Sequence, residues 1–151
     1  MGSLLAGLTR FERNAIHLVP FIGHTNASRH PSYGEPWLHN LADQVLTYSN
    51  SQFTSEEQFV YIQSLETQRE KTGLPDREKH MYDYTQMLKE CHRAEAKYIA
   101  ILEDDVLAMD GWFQRTRKGL EEVEKQTQDK GEKGCECLAK LPLSSCKLSS
   151  F

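Results

Sequence analysis

A chain of 151 residues carrying 18 Lys and Arg against 22 Asp and Glu, for a formal net charge of −4, fits one small domain or part of a larger one and lacks a basic footprint for nucleic acid. Its apolar and charged fractions, 38% and 26%, are those of an ordinary globular protein. No run approaches the roughly 20 apolar residues that a transmembrane helix needs, and the apolar start of the chain is too short for a signal peptide.

Thr9 stands three residues ahead of Glu12, the spacing of a capping box, so a short helix is expected over residues 8–13. Residues 15–23 (AIHLVPFIG) read as the first buried strand, with Pro20 forcing an edge or a bulge because it cannot donate to a ladder. Residues 24–31 (HTNASRHP) follow as a loop at the carboxyl end of that strand. In a doubly wound sheet this is the ligand side. Its polar groups His24, Thr25, Asn26, Ser28, Arg29 and His30 could hold a nucleotide base, ribose or phosphate, although the residues alone favour a plain polar turn. Asn26-Ala27-Ser28 is also a glycosylation acceptor pattern, of low information.

Ser32 and Glu35 have the spacing of a second capping box, followed by Trp37, Leu38, Leu41, Val45 and Leu46. This predicts a crossover helix over residues 33–48, with Trp37 in the core. The run Phe59, Val60, Tyr61, Ile62 predicts a short strand over residues 60–64, against the helical preference of Glu56, Glu57 and Gln58. Gly73 and Pro75 mark a loop over residues 69–77. A helix is expected over residues 78–96, with Met81, Tyr84, Met87, Leu88, Cys91 and Ala94 on its apolar face. Lys79 and Asp83 stand one turn apart on it and can pair.

The apolar run Tyr98, Ile99, Ala100, Ile101, Leu102 reads as a strand buried on both faces, and Glu103, Asp104 and Asp105 follow it directly. Adjacent carboxylates repel one another, and a hard divalent cation would relieve the repulsion. The alternative is a solvated acidic turn, with an aspartate capping the next helix. Asp110 is the expected N-cap of a helix carrying Trp112, Phe113, Thr116, Leu120 and Val123 on one face. Residues 129–151 read as an irregular tail whose Ser- and Leu-rich end, from about Glu136, has the character of a misread exon boundary. Of the four cysteines, Cys91 reads as a buried thiol, and Cys135, Cys137 and Cys146 lack the spacing of a zinc site.

Three blocks, RHPSYGEPWLHNLADQVLTY, REKHMYDYTQML and YIAILEDDVLAMDGWF, resemble fungal members of the membrane-bound family that adds N-acetylgalactosamine to GPI-anchor glycans. That family is similar to the N-acetylglucosaminyltransferase IV group, and its acid triplet resembles the DxD motif of GT-A glycosyltransferases. The resemblance spans roughly residues 8–126. It implies an α/β fold, the N-terminal half of a GT-A (Rossmann-like) domain with a mostly parallel sheet and flanking helices, over residues 8–128. It also implies a UDP-sugar donor, a glycan or glycolipid acceptor, Mn²⁺ or Mg²⁺, and residence in the Golgi or endoplasmic reticulum. By the same resemblance Asp105 is the metal ligand, Asp104 a second ligand or sugar contact, and Glu103 a ribose contact or a brace for the strand end, in an order that permutes freely. Lys79 or Asp83 would reach the nucleotide-sugar.

A cation would stabilise the charge that develops on the leaving diphosphate. The catalytic base of inverting relatives comes from a later part of the domain, so the expectation is a fragment holding a donor half-site and inactive alone. A non-catalytic interaction fragment is the rival. Two other enzyme classes fit less well: phosphoryl transfer needs further strand-end residues, and a glycoside hydrolase needs separated rather than adjacent carboxylates.

Overall fold

The computed structural model describes residues 1–50, 54–74 and 76–129. In chain order these hold α1 (Gly2–Leu5), α2 (Arg10–Asn14), β1 (Phe21–Ile22), a 3₁₀ turn (Ala27–Arg29), α3 (Pro36–Leu41), β2 (Leu46–Thr47), a second 3₁₀ turn (Tyr48–Asn50), α4 (Glu56–Thr72), α5 (Arg77–Arg93) and α6 (Trp112–Asp129). Contacts divide the chain into two compact units: His17–Ala94, and Met1–Ile16 with the residues that follow from Glu95. Among the described residues no helix is long and apolar enough to cross a membrane. Beyond Asp129, the expected tail and its three cysteines lie outside the described residues.

The expected mostly parallel α/β sheet is overturned. The described residues are mostly helical, and the one sheet among them is a parallel pair, Phe21 against Leu46 and Ile22 against Thr47. Residues 15–23 keep only two strand residues. Pro20 sits just before them, where it has no N–H to give and its carbonyl instead accepts from Leu46 N–H at 2.9 Å. Residues 33–48 do not make one long helix. Glu35 is the N-cap of α3 and makes no side-chain capping bond, Pro36 opens the helix, and the chain then extends into β2. Trp37 is 43% exposed rather than core, and Leu38 takes the buried position.

Residues 60–64 lie inside α4, not in a strand. A complete capping box between Ser55 and Gln58 starts that helix, and Gly73 ends it in a left-handed conformation, its N–H bonded to Arg69 carbonyl. Ile62, Leu65 and Glu66 are its buried face. The helix expected over residues 78–96 is α5, begun by Asp76 accepting from the backbone of Glu78 and Lys79, and followed by Glu95 at φ 53. Its buried face, however, is polar: Lys79, Gln86 and Glu90 point inward, while Met81 and Tyr84 are exposed. Lys79 and Glu90 are buried there because each finds partners in the same unit, as shown below. The core of His17–Ala94 is small: Ile22, Ala27, Leu38, Leu46, Tyr48, Ile62 and Leu65.

In the other unit the capping box of Thr9 and Glu12 is complete and starts α2. Glu12 is buried and also accepts from Gln114 of α6. Trp112 Nε1–H donates to Leu4 carbonyl at 3.0 Å, and Ala108 N–H to Ser3 hydroxyl at 3.1 Å. Residues 98–102 form no strand: a strand needs a ladder partner, and none of the described residues supplies one. Leu102, Val106, Leu107 and Met109 are exposed. Asp110 falls in the turn before Trp112 and is not the residue adjoining α6.

Candidate functional site

The parallel pair ends at Ile22 on one strand and Thr47 on the other, and a polar cluster gathers at those carboxyl ends. Lys79, 4% exposed, is at its centre. Its ammonium donates to Gly23 carbonyl (2.6 Å) and to both oxygens of Asp83 (2.7 and 3.0 Å). Tyr48, just after β2, donates its hydroxyl to Asp83 Oδ1 at 2.6 Å, and the Lys79 ammonium stands 5.2 Å from its ring centre. Burial first, and then the Asp83 carboxylate, push the Tyr48 hydroxyl far above its usual range, so it is a fixed donor. A Cβ on Gly23 would stand 3.3 Å from Asp83 Oδ1, so the glycine lets the carboxylate approach the backbone.

Beside this lies a second carboxylate centre. Glu66 Oε2 accepts from Thr25 N–H at 3.0 Å and from the Thr25 hydroxyl, and Glu66 Oε1 lies 2.8 Å from His24 Nδ1. Burial pushes the Glu66 carboxyl up. The hydrogen bonds from Thr25 and His24 and the charge of Lys79 outweigh it and hold the group below the usual carboxylate range. Further along α5, Glu90 accepts from Gln44 (2.9 Å) and from Arg93 Nε (3.0 Å). The Arg93 bond keeps its carboxyl low against the opposing effect of burial.

Of the residues expected at a site, His24, Thr25, Lys79 and Asp83 fall into these two adjoining centres. Asn26 is spent on its own turn, its Oδ1 accepting from Ser28 N–H (3.2 Å) and Ser28 hydroxyl (2.7 Å). Arg29 pairs with Glu70, both half exposed. Glu103, Asp104 and Asp105 belong to the other unit and are exposed. Val106 N–H closes a turn onto Glu103 carbonyl at 3.3 Å, with the two aspartates at its corners, which is the solvated acidic turn. Among the described residues no three His, Cys, Asp or Glu side chains are grouped to hold a metal ion.

Sequence reasoning missed Glu66, Tyr48 and the Gly23 carbonyl. The signal for Glu66 was present: once Ser55 and Gln58 are read as a capping box, Glu66 falls one turn after Ile62 on the buried face of a helix. No protein-family model matches the chain, and neither a curated protein nor a solved structure matches it at a significant level.

Proposed function

We propose that this chain is a glycosyltransferase relative that takes a UDP-sugar, an N-acetylhexosamine donor, for a GPI-anchor or other glycan acceptor in the Golgi or endoplasmic reticulum. The observation that carries the reading is the convergence of His24 and Thr25 with Lys79 and Asp83 beyond the carboxyl ends of a parallel strand pair. The resemblance puts Lys79 or Asp83 within reach of the donor, and His24 and Thr25 belong to the loop whose polar groups suit a nucleotide. Mn²⁺ or Mg²⁺ belongs to the proposal through the acid triplet alone.

A second reading, a non-catalytic interaction fragment, is favoured by one feature. The Lys79 ammonium is directed at Gly23 and Asp83, as a structural strut would be.

Calorimetric titration of UDP with and without Mn²⁺, on the chain and on Asp105→Ala, separates the two. Saturable, metal-dependent binding that the substitution removes is the expected result. Well-folded protein that gives no binding heat favours the interaction fragment.

A further inference from the structure

We infer that Asn26 is an acceptor site for an N-linked oligosaccharide, displayed on a surface turn that the fold holds from both sides. The inference rests on the residence in the endoplasmic reticulum proposed above and not on nucleotide binding. Asn26-Ala27-Ser28 is the one Asn-x-Ser/Thr triplet in the 151 residues. Such a triplet carries little by itself, and the structure adds what it lacks. Asn26 and Ser28 are exposed, whereas Thr25 and Ala27 beside them are buried. A bulky, solvated glycan requires that outward position. Asn26 Oδ1 accepts from Ser28 N–H at 3.2 Å and from the Ser28 hydroxyl at 2.7 Å. A backbone N–H can only donate, so the atom facing it is the amide oxygen. Nδ2, the atom that takes the sugar, is on the other arm of the planar amide. Among the described residues it makes no hydrogen bond.

The turn itself is well held. Arg29 N–H and His30 N–H close it onto the carbonyls of Asn26 (3.1 Å) and Ala27 (3.0 Å). On its two sides Thr25 is bound to Glu66 and Arg29 pairs with Glu70, and these carboxylates stand one turn apart on α4. Transfer forms a bond from Asn26 Nδ2 to the anomeric carbon of the oligosaccharide. It breaks the bond from that carbon to a polyprenyl diphosphate, which leaves with the electron pair, and Nδ2 gives up one proton. The lipid-linked sugar and its transferase belong to the membrane, and this chain supplies the acceptor alone. The product is still an amide whose oxygen can accept from Ser28, so the turn survives the modification. Asn26 is thereby a modification site and not a contact of the strand-end cluster.

Translation of the full chain behind a cleaved signal peptide into eukaryotic microsomes tests this, read only on chains protected from added protease. The expected product carries one glycan that an N-glycanase removes, and Asn26→Gln and Ser28→Ala chains carry none. Ser28→Thr should keep it. Protected chains without a glycan, or a glycan that persists in Asn26→Gln, would overturn the inference. A second measurement reads the position of the amide in the fold. The purified glycoprotein and the unmodified chain should share one urea midpoint, because Nδ2 takes no part in the structure. A midpoint lowered by the glycan would overturn the outward placement. Transfer is read on the parent chain, so the test survives a variant that does not fold. UDP binding is read separately by heat on the unmodified chain, so failure here and failure of the nucleotide-sugar reading are told apart.

Discussion

Lys79→Met is expected to destabilise the protein by about 2–4 kcal/mol, read as a lower urea midpoint at an unchanged slope. Lys79 is 4% exposed, and its ammonium makes three hydrogen bonds, to Gly23 carbonyl and to both Asp83 oxygens. Removing it leaves the Asp83 carboxylate, whose side chain is 23% exposed, with the hydrogen bond from the Tyr48 hydroxyl. Breaking a buried pair from one side costs about 3–5 kcal/mol, and the partial exposure of Asp83 and its bond to Tyr48 bring the figure down. If the pair were an ordinary surface contact between residues one helical turn apart, the loss would be only about 0.3–0.5 kcal/mol, and such a result would contradict the buried cluster. A double variant, Lys79→Met with Asp83→Leu, should recover part of the loss, because the stranded charge is gone as well.

Glu66→Gln should cost about 1.5–3 kcal/mol at neutral pH, the size expected for hydrogen bonds to a buried charge. The loss should depend on pH. The folded-state carboxyl is held below the usual range by Thr25, His24 and Lys79 against burial. A depressed folded value means that the group stabilises the fold above its unfolded pKa of about 4.3, and that this contribution fades as pH falls through the lower folded value. The urea midpoints of the parent and the variant should therefore stay a constant distance apart above about pH 6 and converge below about pH 4. A gap that widens on acidification would reverse the sign and remove Glu66 from the account.

Local signals made several elements legible in advance. The capping box of Thr9 and Glu12, the helix through Lys79 and Asp83, the pairing of those two residues and the helix from Trp112 all follow from spacings within a few residues. What failed depended on distant partners. The run Phe59 to Ile62 is apolar enough for a strand, but the cap at Ser55 and the stop at Gly73 make it helix. The run Tyr98 to Leu102 has strand composition and no strand beside it among the described residues. Hydrophobic periodicity also chose the wrong face of α5. It cannot foresee that Lys79 and Glu90 are buried because Gly23, Asp83, Gln44 and Arg93 meet them there. The candidate site was half legible: its residue types at the loop and on the helix were visible, whereas Glu66 and Tyr48, which fix them, were not.

The most direct test of the strand-end cluster as the functional site is to map UDP onto the ¹⁵N-labelled full chain, in the presence of Mg²⁺, by backbone amide shifts. The account predicts saturable shifts centred on residues 23–25 and on the turn of α5 that carries Lys79. Saturable binding whose shifts leave those amides unmoved would contradict it, and so would a folded chain whose spectrum UDP does not change.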